Sequence, residues 1–348
     1  MSNSGRQYLV IGPSWVGDMV MAQSLFITLK KRWPDCDIDV VSPEWSLPVL
    51  QRMPQVRRGI ALPVQHGKFS LARRYKLGRA LQATGYSHAI VLPRSWKSAL
   101  VPLFARVPAR TGYKGEMRYG LLNDVRKLDS RVLTRTVQRY VALGCAEAEI
   151  SVSPPETPYP ELRSEKKNTD RLLMQLGLNL EKPVVGLMPG AEYGPAKQWP
   201  VAYFAKLAQL LVQRGYQVWV FGSAKENALG EEIIRDLSEA AYNLCGKTEL
   251  VDVIDLVACT EQVVSNDSGL MHIAAAMDVT VNVIYGSSTP EYTPPLTDKA
   301  RIFYRQLSCS PCFARTCRYG HYDCLNKISP EELIEKIDNH ANTVSRYV

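Results

Sequence analysis

The fold is decided by two stretches of the chain, Tyr8-Leu-Val-Ile-Gly-Pro-Ser-Trp-Val-Gly-Asp18 and Gln262-Val-Val-Ser-Asn-Asp-Ser-Gly-Leu-Met-His272. In each stretch an apolar run typical of a buried strand is followed by a turn of small residues, and a helical pattern begins directly after the turn. This order brings free backbone N–H groups at the start of a helix close to an anionic ligand. Because the device occurs in both halves, the sequence predicts an α/β protein with two nucleotide-binding-type domains that face one another across a cleft. Asp18 and Asp267 place one carboxylate at each turn.

The composition is that of a folded, globular protein. Of the 348 residues, 46% are hydrophobic and 22% are charged, and the sequence shows no short-period repeat or heptad pattern. The apolar stretch before Gly12 has only about four residues, too few for a signal peptide or a membrane span, so we expect a cytoplasmic protein. In that reducing compartment the eight cysteines are expected to be thiols or metal ligands rather than disulfides.

The formal net charge of +8 is unevenly distributed along the chain. Between Arg94 and Lys127, eight Lys or Arg residues stand against two Asp or Glu residues. Such a region attracts a phosphorylated substrate, an anionic membrane surface or nucleic acid, although an ordinary solvated basic face is equally compatible with it. No RNA- or DNA-binding signature accompanies the charge, so nucleic acid is not expected as a partner.

Alternating apolar runs and helical patterns predict the same architecture twice, each time as a parallel sheet covered on both faces. The proline-rich, charged segment over residues 153–167 is the predicted linker, because proline cannot propagate a helix or a sheet. The predicted domains are therefore residues 1–160 and 168–329, and a final helix follows over residues 330–348. The predicted strands are Tyr8–Gly12, Ile38–Val41, Gly59–Leu62, His88–Leu92, Val184–Met188, Gln217–Phe221, Gln262–Val264 and Thr280–Ile284.

The second turn is the strongest candidate anion site in the sequence. Ser268 and Gly269 begin the helix that follows, so their amides should face a pyrophosphate, and Leu270 comes next in the same turn. His272 lies one turn further along, within reach of a phosphate oxygen. Asp267 would occupy the cap position, where its carboxylate can hold helix amides or a sugar hydroxyl. A plain N-cap at Asp267 and a structural histidine at His272 are the competing interpretations of each residue alone.

Two further loops contain candidate contacts to the same ligand. Lys197 follows the predicted strand Val184–Met188 in a loop of small residues, where it can neutralise a departing phosphate, although a lone lysine is more often an ordinary surface residue. Glu226 ends a third strand-end glycine turn, Phe221-Gly-Ser-Ala-Lys-Glu226, and is a candidate partner for a ribose hydroxyl. Glycine turns are common in α/β folds, so this third signal is weak.

The first turn limits the classes of enzyme that fit the chain. Its span from Gly12 to Gly17 is neither a Walker loop nor a GxGxxG fingerprint, which argues against an NTPase and against a dehydrogenase. Asp18 stands at the start of the following helix and is aimed into the predicted cleft, a position suited to a general base. A helix cap is the competing interpretation of this aspartate.

A cysteine cluster lies between the last predicted strand and the final helix. It has the spacing C-x2-C-x4-C-x6-C, with His321 nearby, and consists of Cys309, Cys312, Cys317 and Cys324. Four thiols so close in sequence can hold zinc or an iron–sulfur centre. The spacing matches no standard zinc finger, so unliganded thiols that pack the loop are the favoured interpretation and a structural metal is the alternative.

The two turn motifs, Gly12-Pro-Ser-Trp-Val-Gly-Asp-Met-Val-Met-Ala-Gln23 and Asn266-Asp-Ser-Gly-Leu-Met-His272, closely resemble those of the ADP-heptose:lipopolysaccharide heptosyltransferases, glycosyltransferase family 9. The resemblance spans essentially the whole chain. It implies a GT-B fold, in which two Rossmann-like parallel-sheet domains face a central cleft and the last helix crosses back to the first domain. It also implies that Asp18 is the base and that Lys197 contacts phosphate. The donor-binding set it implies is Asp267, Ser268, Gly269 and His272, with Leu270 beside them and Glu226 added from the third turn.

The family further implies an inverting transfer of L-glycero-D-manno-heptose from ADP-heptose, without a required metal. The loop Tyr193-Gly-Pro-Ala-Lys-Gln-Trp-Pro200 and the Cys-rich tail favour the branch whose acceptor is the first heptose of heptosyl-Kdo-lipid A, at the cytoplasmic face of the inner membrane. Glu192 and Tyr193 stand where a related branch has threonines, so the threonine hydroxyl contacts to phosphate are not carried over to this chain. Transfer to Kdo itself and a non-catalytic anion-binding module are the alternatives. The expected acceptor contacts are Ser14, Arg94, Ser95, Lys97 and Ser98.

Overall fold

The computed structural model describes residues 5–63, 69–150, 153–237 and 240–344, with side chains described as far as residue 337. The chain forms two compact units that divide between Arg163 and Ser164, within the predicted linker. Each unit contains a six-stranded sheet in which all neighbouring strands are parallel. Among the described residues, no helix is both long and apolar enough to cross a membrane.

The elements of the first unit alternate along the described chain. Its strands are β1 (Gln7–Ile11), β2 (Asp37–Ser42), β3 (Arg58–Ala61), β4 (His88–Val91), β5 (Ala109–Tyr113) and β6 (Asp124–Arg126). Its α-helices are α1 (Val16–Arg32), α2 (Leu47–Gln51), α3 (Leu71–Leu81), α4 (Leu100–Phe104), α5 (Thr136–Ala142) and α6 (Glu147–Ile150). Short 3-10 helices lie at Glu44–Ser46, Gln82–Thr84 and Trp96–Ala99.

The second unit follows the same plan. Its strands are β7 (Val184–Met188), β8 (Gln217–Val220), β9 (Ala241–Asn243), β10 (Gln262–Asn266), β11 (Thr280–Tyr285) and β12 (Ala300–Tyr304). Its α-helices are α7 (Lys166–Leu176), α8 (Val201–Gln213), α9 (Asn227–Ile234), α10 (Leu250–Val257), α11 (Gly269–Ala276), α12 (Asp323–Asn326) and α13 (Pro330–Val344). Short 3-10 helices lie at Pro195–Lys197 and Ala224–Glu226.

The strand order in each sheet determines where a ligand can bind. The first sheet runs β3-β2-β1-β4-β5-β6, and the second runs β12-β11-β10-β7-β8-β9. Both have the order of a doubly wound dinucleotide-binding fold, in which successive strands are added first on one side of the starting strand and then on the other. This reversal of strand order falls between β1 and β4 in the first sheet and between β7 and β10 in the second. Ligands bind at the carboxyl ends of the strands at such a reversal. The turns that follow β1, β4, β7 and β10 are therefore the candidate positions for a functional site.

The central strands are buried on both faces, as the continuous apolar runs in the sequence indicate. In the second unit, Val185 and Leu187 of β7 pack with Phe204 of α8 on one face of the sheet. Val184 and Met188 of the same strand pack on the other face, among side chains of α7, α10 and α11. This burial on both faces holds β7 and its neighbour β10 rigidly. The turns at the carboxyl ends of the two strands therefore begin at fixed positions.

The predicted strands are present, but four further strands of the two sheets were not predicted. The additional strands are β5, β6, β9 and β12. Their sequences are short or polar, such as Asp124–Arg126, and several of their side chains are half-buried, so they lack the apolar run of a central strand. The linker is also shorter than predicted, because α7 begins at Lys166.

The described side chains of α13 belong to the second unit. Leu333, Ile334 and Ile337 are buried in the core cluster that contains Phe204 of α8. The predicted return of the helix over residues 330–348 to the first domain concerns side chains beyond residue 337, which lie outside the described residues. That contact stays a prediction.

Candidate functional site

An ion pair lies at the reversal of the second sheet. Lys197 Nζ, from the loop after β7, donates a hydrogen bond to Asp267 Oδ2, directly after β10. Ser288 Oγ donates to the same carboxylate oxygen over 2.5 Å. Only 16% of the Lys197 side chain and 4% of the Asp267 side chain are exposed, so both charges depend on each other rather than on water. The fold thus joins two predicted site residues that are 70 positions apart in the sequence.

Asp267 is not the helix cap that its position in the sequence suggested. The cap position of α11 is occupied by Ser268 in an extended backbone conformation, and its side chain makes no capping hydrogen bond within the described chain. The Asp267 carboxylate turns instead to Lys197 and Ser288. Ser268, Gly269 and Leu270 are half-buried, at the end of α11 that carries the partial positive charge of the helix.

Asn266 positions the loop that carries Lys197. Its side-chain oxygen accepts a hydrogen bond from the Trp199 backbone amide at 3.0 Å, and its amide nitrogen donates to the Pro189 carbonyl at 2.8 Å. Asn266 is fully buried, so replacing it leaves both loop groups without a partner. The sequence motif contained Asn266, but nothing in the sequence indicated this role.

The segments after β11 and after β12 support the same loop from the other side. The Ala196 amide donates to the Arg315 carbonyl at 3.0 Å, and the Ser287 amide donates to the Ala196 carbonyl at 3.0 Å. Tyr193 lies under two cations, with Lys197 Nζ and the Arg315 guanidinium carbon each 5.0 Å from its ring centroid. The tyrosine that replaces the threonine of a related branch therefore holds Lys197 through its ring.

His272 is buried in the first turns of α11. Burial lowers the pKa of its imidazole to about 4; the nearby Asp267 opposes this shift, and Lys197 adds to it. The ring is consequently neutral at pH 7, where it can donate or accept one hydrogen bond but adds no positive charge to the site. Its predicted contact to phosphate stays a prediction.

Glu226 stabilises the start of a helix at the neighbouring strand. Its Oε2 accepts hydrogen bonds from the Ser223 amide at 2.6 Å and the Ser223 hydroxyl at 2.8 Å. A Cβ atom added to Gly190 would lie 2.0 Å from Glu226 Oε1, so the loop after β7 approaches this carboxylate closely. Because Oε2 is engaged by Ser223, the predicted contact with a ribose hydroxyl would use Glu226 Oε1. That contact stays a prediction.

The reversal of the first sheet carries the predicted base. Asp18 lies in the first turn of α1, directly after the turn that follows β1, and is half-buried. The Ser14 carbonyl in that turn accepts a hydrogen bond from the Trp45 indole at 2.9 Å. Trp15 and Trp45 are both exposed large aromatic side chains. These tryptophans were not predicted as site residues, although an exposed aromatic pair beside the turn offers an apolar surface to a ligand.

The turn after β4 contains the other predicted acceptor residues. Ser95 and Ser98 share a hydrogen bond of 2.6 Å between their hydroxyls, and Arg94 is exposed. Two buried arginines support the turn: Arg118 donates to the Pro93 carbonyl at 2.7 Å and Arg74 donates to the Lys97 carbonyl at 3.3 Å. Burial lowers the pKa of both guanidinium groups.

Not all of the eight basic residues between Arg94 and Lys127 contribute to a positive surface. Arg118 and Arg126 are buried and hold backbone carbonyls, as in the 2.6 Å bond from Arg126 to the Cys145 carbonyl. Arg94, Arg106, Lys114 and Lys127 remain exposed. The sequence could not distinguish the buried arginines from the exposed basic residues, because a count of charges does not show which side chains face the solvent.

Comparison with known proteins gives a consistent result over the whole chain. Residues 74–323 match the family model described as Glycosyltransferase family 9 (heptosyltransferase). The lipopolysaccharide heptosyltransferase 2 of Salmonella typhimurium is 43% identical over 336 residues, which are 94% of this chain and 97% of that protein. The lipooligosaccharide heptosyltransferase 2 of Haemophilus influenzae is 45% identical over 341 residues, which are 95% of this chain and 98% of that protein.

A solved structure shows the same architecture. The ADP-heptose LPS heptosyltransferase II of E. coli matches with a TM-score of 0.85 at 42% identity, over 96% of this chain and 98% of that one. Together with the two parallel six-stranded sheets, this likeness confirms the predicted GT-B fold class with two Rossmann-like domains.

Proposed function

This chain belongs to glycosyltransferase family 9, the heptosyltransferases, and on that premise we propose that it transfers L-glycero-D-manno-heptose from ADP-heptose to the first heptose of heptosyl-Kdo-lipid A. The full-length similarity to three heptosyltransferases designated 2 or II supports this acceptor. The observation that supports the donor assignment is the Lys197–Asp267 pair beside the first turn of α11, at the reversal of the second sheet.

In the donor site, the diphosphate of ADP-heptose binds at the amides of Ser268, Gly269 and Leu270, where the helix dipole favours negative charge. The Lys197 ammonium has three N–H donors, of which one is engaged by Asp267. The remaining donors are directed to the leaving diphosphate, while Asp267 and Ser288 keep the ammonium in position. This arrangement stabilises charge that grows in the transition state, and the transfer needs no metal ion. Rates should be unchanged when Mg²⁺ and Mn²⁺ are omitted from the assay.

In the acceptor site, Asp18 is the general base. It takes the proton from a heptose hydroxyl as the hydroxyl oxygen forms a bond to the anomeric carbon of the donor, and the bond from that carbon to the diphosphate breaks in the same displacement. The configuration at the anomeric carbon inverts. Ser14, Arg94, Ser95, Lys97 and Ser98, in the turns after β1 and β4, contact the sugar and its anionic groups.

The first unit also has a surface suited to an anionic membrane. Exposed apolar side chains lie on α3 and beside it, and Phe69 and Trp96 contact one another with ring centroids 4.8 Å apart. Exposed cations on the same helix, Arg73, Lys76 and Arg79, can meet lipid phosphates. The aromatic–basic surface, as we call it, consists of Phe69, Leu71, Arg73, Tyr75, Lys76, Arg79 and Trp96. We infer that it rests on the cytoplasmic face of the inner membrane, where the lipid A part of the acceptor is embedded.

The decisive experiment measures ADP release by the purified protein from ADP-heptose, with and without heptosyl-Kdo-lipid A. We expect release that depends on the acceptor. Asp18→Asn should lower the rate by about 10²–10⁴-fold, because the general base is lost, while ADP binding is retained. Asp35→Asn, at an exposed aspartate, is the control and should behave as wild type.

The same assay separates the alternatives. Turnover with Kdo-lipid A that lacks heptose, and none with heptosyl-Kdo-lipid A, would reassign the chain to the first heptose transfer. ADP binding without release by either acceptor would instead indicate a non-catalytic anion-binding module. An Asp18→Asn variant as active as wild type would remove this residue from the role of base.

A further inference from the structure

The segment between β12 and α12 gathers four cysteines around one small cavity. Cys309, Cys312, Cys317 and Cys324 all line it, and His321 lies at the same place. The other four cysteines of the chain, Cys36, Cys145, Cys245 and Cys259, lie in other parts of the fold and do not line this cavity. All four cysteines of this short segment therefore line the same cavity.

The backbone bends tightly after Cys317. The Gly320 amide donates a hydrogen bond to the Cys317 carbonyl at 3.2 Å. Gly320 and Tyr322 both have positive φ, at 75° and 52°. This bend places Cys317, His321 and Cys324 together in the lining of one cavity.

The segment lacks the usual means of holding a shape. Residues 305–322 contain no helix or strand, and two of their large apolar side chains, Phe313 and Tyr319, are exposed. Even so, the Arg315 carbonyl and the Phe313 amide bind the loops that position Lys197, through Ala196 and Ser287. A short segment without a core usually needs a crosslink or a metal to stay ordered.

We propose that these four cysteines bind one zinc ion, which fixes the segment behind Lys197. Soft thiolate ligands select zinc among the available divalent ions, and four of them complete its tetrahedral coordination, so the site is structural and leaves no open position for catalysis. In the described residues no three Cys, His, Asp or Glu side chains already stand in a metal-binding arrangement. Binding therefore requires the four thiols to move closer together, and each thiol loses its proton as it ligates the ion.

The test is the zinc content of the native protein, purified without a metal-affinity step and measured by elemental mass spectrometry. We expect about one zinc ion per chain. Cys312→Ser and Cys324→Ser should each lose most of it, whereas Cys259→Ser, a half-buried cysteine outside the cluster, should keep it. Circular dichroism of each variant shows whether it remains folded.

A second measurement on the wild-type protein makes the result independent of variant folding. Titration with an organomercurial in the presence of a zinc-sensitive dye should release the ion in step with the modification of four thiols. Protein that contains no zinc and takes up none from solution would overturn the proposal. Equal zinc in the wild type and in both cluster variants, or iron in place of zinc, would overturn it as well.

Discussion

Asp267 shows how one buried carboxylate organises a functional site. It lies at the end of β10, and its Oδ2 receives both Lys197 Nζ and Ser288 Oγ from two different loops. Because the carboxylate is almost fully removed from water, it requires these hydrogen-bonding partners. The pairing in turn sets the position of the Lys197 ammonium group beside α11. The side chain that the sequence suggested as a helix cap is instead the anchor of the cation.

The coupling of this pair can be measured by a double-mutant cycle. Lys197→Met leaves a buried carboxylate without its cation and should lower the free energy of unfolding by about 3 kcal/mol. Combining it with Asp267→Asn should cost less than the sum of the two single changes. Urea unfolding of the four proteins provides the numbers. Lys225→Met, which breaks the solvent-exposed pair with Glu192, is the matched control and should change stability by less than about 0.5 kcal/mol.

The neutral state of His272 predicts a pH dependence of stability. Its pKa is about 4 in the folded protein and 6.5 in an unfolded chain, so the unfolded state binds the proton first as the pH falls. Stability therefore decreases as the pH is lowered through this window, by about 2 kcal/mol between pH 7.5 and pH 5. Urea unfolding at both pH values should show this loss in the wild type. His272→Gln should lack the loss of about 2 kcal/mol that is due to this histidine. An unchanged pH dependence of stability in the variant would contradict a depressed pKa of His272.

At the scale of elements, the loop between β7 and α8 depends on two close approaches. Gly190 lies against the Glu226 carboxylate, and Gly194 has a φ of 147° and faces the Arg315 carbonyl. Side chains are excluded from both positions, which allows three segments to meet behind Lys197. The glycines of this loop thus serve the packing of neighbouring segments.

Gly194→Ala tests this packing. The new Cβ would lie 2.6 Å from the Arg315 carbonyl oxygen in a backbone conformation that L side chains rarely adopt, so we expect a loss of about 2 kcal/mol or more. ADP affinity should fall as well, because the shift moves Lys197. In Gly215→Ala, the matched control, φ is 87° but the space is open, so the loss should be about 1 kcal/mol with ADP affinity retained. Calorimetric titration with ADP and urea unfolding measure the two effects.

At the scale of the whole molecule, the aromatic–basic surface predicts binding to anionic lipid. The double variant Phe69→Ser with Leu71→Ser should bind phosphatidylglycerol vesicles roughly tenfold more weakly, because two exposed apolar side chains are lost. Raising the salt concentration should weaken the binding of both proteins, since the cations of α3 are screened. Vesicle co-sedimentation measures both effects. Met174→Ser removes an exposed apolar side chain from the second unit and should bind as wild type.

The central strands and the turns of the site could be read from the sequence because their signals are local. An apolar run such as Val184–Met188 is a strand buried on both faces, and the small residues after it are a turn. Edge strands such as Asp124–Arg126 carry no such run, because half of their surface faces water. Their existence depends on the neighbouring strand that pairs with them.

The sequence by itself determined the doubly wound class, the repetition of that plan, the family and the residues at each strand end. Only the tertiary structure decided which of them meet: that Lys197 pairs with Asp267, that Ser288, Asn266 and Arg315 hold them, and that Arg118 is internal while Arg94 is exposed. The physical reason is the distance along the chain over which each interaction acts. Strand and turn formation depend on residues adjacent in the chain, whereas the partner of a buried charge is selected by strand order, which brings together loops that are distant in sequence.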